Sequence, residues 1–259
     1  MIKLSVVIIT FNEEKNIVRC LDSVKEVADE IIVVDSFSTD KTGEICTEKG
    51  ARFVRHPWPG YGAQKNYGNS LASNDWILSL DADEALSLKL GESIARVKEN
   101  PAYRAYAMNR LTNYCGHWIR HCGWYPDTKI RLFDRRSARW DLELVHENLL
   151  IDEGTASGFL QGDLLHYSFL SREDHLRQVE HYSGLVARQF FEKGRKAGLL
   201  KIWFSGPARF IRDYFFRLGF LDGTAGFSVC SLSARAAFLK YRKLRKLHHE
   251  RKNHPLYHS

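Results

Sequence analysis

The chain has 259 residues, of which 44% are hydrophobic and 27% are charged; these fractions are typical of a globular protein and exclude a disordered one. The formal net charge of +7 is concentrated between residues 235 and 252, where eight Lys or Arg accompany a single acid, Glu250. The remainder is formally neutral, so a nucleic-acid partner is not expected. The first residues, MIKLSVVIIT, lack a secretory-signal pattern, and no run of eighteen uncharged apolar residues occurs. We therefore expect a cytoplasmic protein without a membrane span.

Five cysteines are present, and their odd number and scattered positions favour reduced thiols over a disulfide framework. The stretch CGHWIRHC contains Cys115, His117, His121 and Cys122, which are conceivable zinc ligands. Their spacing matches no standard zinc module. We therefore favour a loop or hairpin that packs or contacts substrate.

The first hundred residues alternate between short β-branched runs and amphipathic stretches. This alternation predicts an α/β fold with a mostly parallel, doubly wound sheet and right-handed crossovers. The strand patterns are LSVVIIT (4–10), DEIIVVD (29–35), ARFVRH (51–56) and DWILSL (75–80). The helix patterns between them cover residues 11–27, 38–50 and 62–72, and a further one, closed off by Pro101, covers residues 87–100.

The pattern changes after Pro101. Residues 105–114, 128–135 and 140–151 mix aromatic, β-branched and basic residues between turns, which predicts antiparallel strands and long loops. From Ser171, which forms a capping-box pattern with Asp174, helical patterns follow over residues 172–194, 199–220 and 225–252. We therefore divide the chain into a domain of residues 1–170 and a helical, amphipathic, basic extension of residues 171–259.

The stretch ILSLDADEAL, residues 77–86, ends an apolar strand pattern with Asp81 and Asp83. Ligands of open α/β sheets collect just outside the carboxyl ends of the strands, where these two acids would stand. The chain has neither Gly-x-Gly-x-x-Gly after the first strand nor Gly-x-x-x-x-Gly-Lys, so no standard glycine loop cradles phosphates. A divalent cation held by carboxylates is the remaining economical way to neutralise a diphosphate.

The first two predicted strands also end in polar residues. Thr10, Phe11, Asn12 and Glu14 follow the first strand, where free backbone N–H groups and an aromatic face suit a nucleotide base and ribose. Asn12 could instead merely cap the next helix. Asp35 ends the second strand, where it could accept an N–H of a base or could be a buried or capping residue.

Four stretches, SVVIITFNEEKNI, IIVVDSFSTDKT, GYGAQKNYGNSLASNDWILSLDADE and IRLFDRR, together resemble the family 2 glycosyltransferases of the GT-A fold. The resemblance covers residues 4 to about 150. It implies a Rossmann-like sheet flanked by helices, with a nucleotide-sugar half at about 1–100 and an acceptor half at about 101–170. The stretches RDYFFRLGFLDGTAGF and FLKYRKL look like the bacterial subgroup that includes lipopolysaccharide-core β-glucosyltransferases.

The resemblance implies an inverting transfer of a sugar, with glucose favoured, from a UDP-sugar to an acceptor hydroxyl of a lipid-linked or lipopolysaccharide-core glycan. Phe11 would stack near the base, Thr10 and Glu14 would line base and ribose, and Asp35 would pair with the base. The second acid that is usual in this motif is replaced by Ser36.

On the phosphate side, the resemblance implies that Lys65 approaches the donor phosphates, Asp81 the ribose or metal, and Asp83 the Mg²⁺ or Mn²⁺. Some GT-A enzymes supply a histidine as a further metal or diphosphate contact, and His166 in GDLLHYSF is the candidate. The alternative for His166 is a packed, hydrogen-bonded residue. Arg131 could reach a phosphate or could be an exposed cation on a strand.

The catalytic base must come from the acceptor side of the site, because inversion by direct displacement needs a carboxylate or His beside the acceptor hydroxyl. Glu147 in DLELVHENLL is favoured, since the resembling family places an acidic base in the segment after its donor half. Asp127 in YPDTKIRLF is the competitor. Glu147 could alternatively be a strand-end acid paired with Arg131 or Arg135.

The C-terminal helices interleave apolar and aromatic residues with arginines. This pattern predicts helices that lie on an anionic membrane surface, peripherally on the inner face of the bacterial cytoplasmic membrane. Ordinary helix packing with a solvated basic end is the alternative.

The rival functions are a sugar nucleotidyltransferase and a non-catalytic basic module that binds membrane or nucleic acid.

Overall fold

The computed structural model describes residues 1–142 and 148–253, which form two compact units. The sheet unit comprises Met1–Leu111 and Pro126–Tyr167, and the helical unit comprises Thr112–Tyr125 and the residues from Ser168 onward. Residues 112–125 group with the helical unit, in which the backbone N–H of Cys115 donates to the carbonyl of Phe169 at 2.9 Å. The functional division into residues 1–170 and 171–259 stays a proposal.

Strands and helices alternate along the first hundred residues, as the sequence predicts. The strands are β1 (Leu4–Thr10), β2 (Glu30–Asp35), β3 (Arg52–Arg55), β4 (Trp76–Asp81), β5 (Glu84–Leu86), β6 (Ala105–Tyr114), β7 (His117–Ile119), β8 (Asp127–Asp134), β9 (Ala138–Trp140), β10 (Leu149–Ile151) and β11 (Ser157–Phe169). The helices of the sheet unit are α1 (Ile17–Val24), α2 (Thr42–Glu48), α3 (Tyr61–Leu71) and α4 (Leu88–Glu99).

One mixed sheet carries the candidate site. Within the described residues its strands lie in the order β3-β2-β1-β4-β8-β6-β11-β5, while β9 and β10 form a separate ribbon. The pairs β2–β3, β1–β2 and β1–β4 are parallel, and β4–β8 is antiparallel. The parallel half therefore arises from the alternating part of the sequence, and the antiparallel half from the residues after Pro101.

Both faces of β1 are covered, which explains its unbroken apolar pattern. Leu4, Val6 and Ile8 face the cluster that also contains the buried residues of α1, whereas Val7 and Ile9 face the opposite cluster. Successive side chains of a strand point to opposite faces, so one run of β-branched residues supplies two cores. The polar residue Thr10 follows where the buried strand ends.

A glycine lets α3 lie close to the sheet. A Cβ on Gly68 would lie 2.4 Å from Val7 Cγ1, which is closer than two such carbon atoms approach in proteins, and 3.0 Å from Val34 Cγ2, which is a tight contact. The close approach brings Lys65, about one turn earlier on α3, to the carboxyl end of β4. The packing of this helix thus positions a residue of the site.

The helical unit contains α5 (Arg172–Glu192), α6 (Leu199–Ile211) and α7 (Gly223–Asn253). The predicted cap at Ser171 is confirmed, since its Oγ accepts from the backbone N–H of Asp174 at 3.1 Å. The second predicted helix, over residues 199–220, is not continuous: α6 passes into a π-helical turn at Arg212–Phe216 and then a 3₁₀ turn at Gly219–Asp222. Among the helices of the described residues, none is long and apolar enough to cross a membrane.

The cysteine–histidine segment is a packed loop. His121 Nδ1 lies 2.8 Å from Asp222 Oδ1, and the Cys122 thiol is buried against the carbonyl of Gly226 and the side chain of Cys230. In residues 1–142 and 148–253, no three Cys, His, Asp or Glu side chains are grouped as metal ligands. The packed-loop interpretation of this segment therefore fits the structure.

His175 lies inside an aromatic cluster of the helical unit. Its ring centroid is 4.4 Å from that of Phe169, 5.4 Å from Tyr114 and 5.7 Å from Trp124. Its Nδ1 has no hydrogen-bond partner among the described residues, and burial lowers the pKa of His175 to about 4. The imidazole is therefore held neutral at physiological pH.

We expect this burial to make stability depend on pH. The unfolded chain binds a proton at His175 near pH 6.5 and the folded chain only near pH 4, so the free energy of unfolding falls as pH falls through this window. The loss from this one residue is about 2 kcal/mol between pH 7 and pH 5. Urea titrations across this range measure it, and His175→Phe should remove that part of the slope.

His181→Phe is the matched control, because His181 is an exposed histidine on the same helix. The control should keep the slope of the wild-type protein. Equal slopes in the wild type and His175→Phe would contradict the assignment.

Candidate functional site

The strand registers bring the three predicted strand ends together. Thr10 of β1 pairs in register with Asp35 of β2, and Ile9 pairs with Asp81 of β4. The backbone N–H of Ala82 donates to the carbonyl of Ile9 at 3.1 Å, which fixes the turn after β4 beside the end of β1. The polar residues that end these strands therefore share one edge of the sheet, where open α/β sheets bind ligands.

Asp81 is held between two cations. Its Oδ1 lies 3.1 Å from Lys65 Nζ, and its Oδ2 lies 3.0 Å from an amino group of Arg131. Burial raises the pKa of the Asp81 carboxyl, but Lys65 and Arg131 outweigh burial and hold the pKa well below its usual range. Lys65 and Arg131 are themselves buried, so Arg131 is not the exposed cation of the alternative interpretation.

Lys65 is a buried residue of the site. The side chain has no exposed surface, and its ammonium lies 4.7 Å from the Trp140 ring centroid as well as against Asp81. The approach of Lys65 to the donor phosphates stays a prediction. In this structure Lys65 compensates the charge of Asp81 from below the surface.

Glu84 connects Arg131 and Arg110 in the site, a role that was not predicted from the sequence. Its Oε1 lies 2.8 Å from Arg131 and 3.3 Å from Arg110, while its Oε2 accepts from the backbone N–H of Asp81 at 3.0 Å. The residue is fully buried. The sequence did contain a signal for this role: Glu84 is the third acid of the DADE stretch, and an acid next to a buried strand needs a cationic partner.

Asp83 and His166, two of the candidate metal ligands, form a pair. Two ligands of one cation must lie close together, and these two side chains do. His166 Nε2 lies 3.2 Å from Asp83 Oδ2, because β11 pairs antiparallel with β5 and sets His166 opposite Glu84. Burial lowers the pKa of His166, but the Asp83 carboxylate raises it more, so the pKa lies above its usual value. The hydrogen-bonded alternative for His166 therefore describes this structure, and the same pair is available to a cation.

Glu13 is a second residue of the site that the sequence analysis missed. It lies near Asp83 and His166, and its Oε2 accepts from Asn16 Nδ2 at 2.8 Å. Burial, together with the charges of Asp83 and Asp40, raises the pKa of Glu13 to about 7, although the Asn16 hydrogen bond lowers it. Its place in the NEE stretch, directly before the assigned Glu14, was the only sequence signal.

The loops after β1 and β2 brace each other. The backbone N–H of Asn12 donates to Ser38 Oγ at 2.8 Å, and Asn12 Oδ1 accepts from the Thr39 N–H at 2.8 Å. Ser38 in turn donates its hydroxyl and its backbone N–H to Asp35. Asn12 therefore does not cap α1, whereas Asp35 is the buried, loop-fixing acid of the alternative interpretation.

The braced loops display two phenylalanines. Phe11 and Phe37 are both exposed, and Phe37 has φ +64°, a backbone conformation that is uncommon for a bulky residue. Thr10 Oγ1 is buried at this edge without a hydrogen-bond partner in the described part of the chain. Glu14 is exposed, and its side chain accepts from the backbone N–H of Lys41 at 3.2 Å. Phe37 is a further residue that sequence reasoning missed.

The two candidate bases have different positions. Asp127 Oδ2 lies 2.7 Å from an amino group of Arg110 and its Oδ1 lies 3.0 Å from Lys129 Nζ. Burial raises the pKa of Asp127, but Arg110 and Lys129 lower it to below its usual range, which makes it a weak base. Glu147 lies outside the described residues.

The chemistry that this arrangement offers combines fixed charge with exposed aromatic surface. In the described residues no three potential ligands form a protein-only metal site, so the Asp83–His166 pair would have to share a cation with a ligand. Magnesium sites on proteins commonly combine one or two protein ligands with substrate phosphates. The site thus combines a carboxylate–imidazole pair, which suits a cation, with exposed aromatic rings, which suit a nucleotide base.

The family "Glycosyl transferase family 2" matches residues 5–149, which is the segment that carries every described residue of the strand-end site except His166. The protein is thus an enzyme that transfers sugars. The chain belongs to glycosyltransferase family 2, and the GT-A fold class expected from the sequence is confirmed. This membership decides against a nucleotidyltransferase and against a non-catalytic module.

Relatives match over most of the chain. An uncharacterized glycosyltransferase of Rickettsia typhi, RT0209, is 33% identical over 257 residues, which cover 95% of this chain and 88% of the relative. The lipopolysaccharide core biosynthesis glycosyltransferase LpsC of Rhizobium meliloti is 32% identical over 260 residues, covering 95% of this chain and 93% of LpsC. The expected similarity to enzymes of lipopolysaccharide-core synthesis is therefore confirmed.

Solved structures of glycosyltransferases also match. Residues 1–349 of S. aureus TarS superpose with a TM-score of 0.47 at 16% identity, covering 99% of this chain and 93% of that one. Glucosyl-3-phosphoglycerate synthase from Mycobacterium tuberculosis, solved with Mn²⁺, UDP and glucosyl-3-phosphoglycerate, has a TM-score of 0.36 at 26% identity. That match covers 43% of this chain and 44% of that one.

We expect Glu84→Gln to destabilise the sheet unit by about 3 kcal/mol or more, because it removes the buried charge that compensates Arg131 and Arg110. Asp22→Asn is the matched control, since it breaks the exposed Asp22–Lys49 pair and should cost less than about 1 kcal/mol. Urea unfolding of both variants measures the difference. Similar small losses would show that the Glu84 network does not support the site.

Proposed function

We propose that the protein transfers glucose, with inversion, from UDP-glucose to an acceptor hydroxyl in a lipopolysaccharide core or related cell-envelope glycan. The Asp83–His166 pair beside Asp81, at the carboxyl edge of the sheet, is the observation that carries this proposal. Family membership supports sugar transfer, and the relationship to LpsC supports the class of acceptor. We propose that the reaction takes place on the inner face of the cytoplasmic membrane.

The donor nucleoside is proposed to bind against the exposed rings of Phe11 and Phe37. Aromatic rings stack on a base over a large apolar area, and both rings stand on loops that Asn12 and Asp35 brace. Thr10 supplies a hydroxyl at the same edge that has no hydrogen-bond partner among residues 1–142 and 148–253, and Glu14 lines the ribose side. Asp35 in this scheme fixes the loop, because its buried carboxylate is already engaged by Ser38.

Asp83 and His166 fit a divalent cation, Mg²⁺ or Mn²⁺. Neighbouring ligands of an octahedral ion with ligand distances of about 2.1 Å are about 3 Å apart, and the two donor atoms here are 3.2 Å apart. When bound, the cation would neutralise the donor diphosphate and stabilise it as a leaving group. Asp81 holds the neighbouring position as a carboxylate whose ionisation Lys65 and Arg131 enforce.

Glu147 is proposed as the general base that takes the proton of the acceptor hydroxyl. A base must be free to accept a proton, whereas both oxygens of the competitor Asp127 are engaged by Arg110 and Lys129. The low pKa of Asp127 also weakens it as a base. The geometry of Asp127 thus supports Glu147 by elimination within this pair of candidates.

The proposal is tested by measuring UDP released from UDP-glucose, UDP-galactose and UDP-N-acetylglucosamine, with Mn²⁺ or with a chelator. We expect Mn²⁺ to stimulate release from UDP-glucose most, and Asp83→Ala to lower that stimulated rate on the order of 100-fold or more. The physical reason is the loss of a carboxylate ligand beside the diphosphate.

Asp22→Ala is the control for Asp83→Ala, because Asp22 is an exposed acid in the same unit and should leave the rate unchanged. A chelator-sensitive rate near that of the wild type in Asp83→Ala would contradict the metal assignment. No release from any UDP-sugar would contradict the donor assignment.

We expect Glu147→Gln to lower turnover by about 10²-fold or more while the affinity for UDP and Mn²⁺ stays within about twofold, because a base acts on the acceptor. Asp127→Asn is the matched variant and should retain most turnover. Steady-state rates and calorimetric titration with UDP measure the two effects. Transfer by Glu147→Gln at a rate within a few-fold of the wild type would exclude Glu147 as the general base and leave Asp127 as the candidate to test next.

A further inference from the structure

The helical unit exposes an unusual amount of apolar surface. Nearly half of the exposed large apolar side chains in the described residues lie between residues 199 and 227. Phe216 is 79% exposed, Trp203 and Phe204 are each 66% exposed, and Phe215 is 55% exposed. Exposed apolar surface that is concentrated in one segment is typical of sites where another surface docks.

The exposed residues of α6 form one face of the helix. Leu200, Phe204 and Ile211 recur at helical spacing, whereas Ile202 and Gly206 are buried on the other side. A Cβ on Gly206 would lie 3.3 Å from the carbonyl oxygen of Ala234, so this side packs closely on α7. The helix therefore uses one face for the core of the helical unit and turns the opposite apolar face outward.

The exposed apolar surface continues beyond the end of α6 in a turn that is organised around a buried carboxylate, Asp213. Asp213 accepts from Nε of Arg209 and from Nε of Arg212, the latter at 2.8 Å, and an amino group of Arg217 lies 3.5 Å away. The three arginines converge on Asp213 across the π-helical turn, and the turn presents Phe215 and Phe216 to the outside. One acid against three guanidinium groups leaves a local charge of about +2.

The charges around the apolar face are of one sign. Between residues 193 and 227, Lys and Arg outnumber acids by seven to two. Asp213 is buried, Asp222 is partly buried with its carboxylate against His121, and both acids are paired, so the exposed charges of this segment are mainly positive. A second copy of the chain would bring the same positive charges into contact. A negatively charged surface with an apolar interior complements both properties of the patch.

We propose that the outer face of α6 and the π-helical turn after it form the surface by which the protein docks on an anionic lipid bilayer, with Phe215 and Phe216 inserted among the acyl chains. The proposal names the surface that would hold the protein at the membrane given under the proposed function. Only the identity of that membrane rests on the proposed function. The proposal also places the contact on a segment separate from the basic end of α7, where part of the charge is compensated. There, Lys243 and Arg235 are paired with Glu180, and Lys246 with Glu250.

The test is sedimentation of the full chain with vesicles of phosphatidylcholine that contain about one third phosphatidylglycerol. The variant F215S/F216S should lower the partition coefficient about tenfold or more, because two phenyl rings no longer leave water. The matched control is L88S/F159S, in which exposed apolar residues of the sheet unit, 90% and 52% exposed, are removed instead. The control should bind as the wild type does.

The charged part of the surface has a separate test. Lys196→Gln with Lys201→Gln should weaken binding to the anionic vesicles at least fivefold at low salt and leave weak binding to pure phosphatidylcholine unchanged, because each cation near the surface contributes through the lipid charge. Added salt should reduce the difference between these variants and the wild type. Equal binding to anionic and neutral vesicles would overturn the anionic part of the proposal.

A readout without a change at the turn guards against misfolded variants. Quenching of tryptophan fluorescence by bromine-labelled lipid should be present in the wild type and reduced in Trp203→Tyr. Binding of F215S/F216S equal to the wild type, or dimerisation that the same variant abolishes without any vesicle binding, would overturn lipid docking. Release of UDP in solution is measured beside these assays. If the wild-type protein binds vesicles but releases no UDP, the proposed function alone is contradicted. If it releases UDP but does not bind vesicles, the docking alone is contradicted.

Discussion

The compensation of buried charge at the carboxyl edge of the sheet is the constraint on which the rest of the site depends. Asp81 ends a fully buried strand, and its carboxylate stays ionised there because Lys65 and Arg131 lie 3.1 and 3.0 Å from its oxygens. Arg131 in turn needs Glu84, whose second oxygen holds the backbone N–H of Asp81. Removing any member would leave a desolvated charge without its partner. The network therefore fixes the turn that carries Asp83.

The exposed part of the site is built on this buried layer. The turn after β4 and the strand β11 together set Asp83 against His166, and the braced loops after β1 and β2 carry two exposed phenylalanines at the same edge of the sheet. The charged residues that face inward are already paired, and the aromatic residues that face outward are not covered. This division separates residues that position the site from residues that are available to a ligand.

The helical unit follows a different physical logic. It contains a cluster of aromatic rings around the neutral His175, and α6 packs closely on α7 at Gly206. The second predicted helix is interrupted where Asp213 pairs with three arginines in the π-helical turn, and Leu218, just after that turn, has a left-handed conformation with φ +55°. An interleaved sequence of aromatic and basic residues is thereby sorted into an apolar outer face and a set of arginines, part of whose charge is compensated within the unit.

By itself the sequence determined the alternation of strands and helices, the capping of α5 by Ser171, the sugar-transferring family and the strand ends at which polar residues meet. These features follow from short-range patterns: the period of apolar residues, turn chemistry and motifs within a few residues of each other. Only the tertiary structure decided the roles of Glu84 and Glu13, the burial of Lys65 and Arg131, and the pairing of Asp83 with His166. Each of these depends on strands and helices that are distant in the sequence, as β5 and β11 are, and a charged residue does not reveal from its own neighbours which distant charge it will meet in the core.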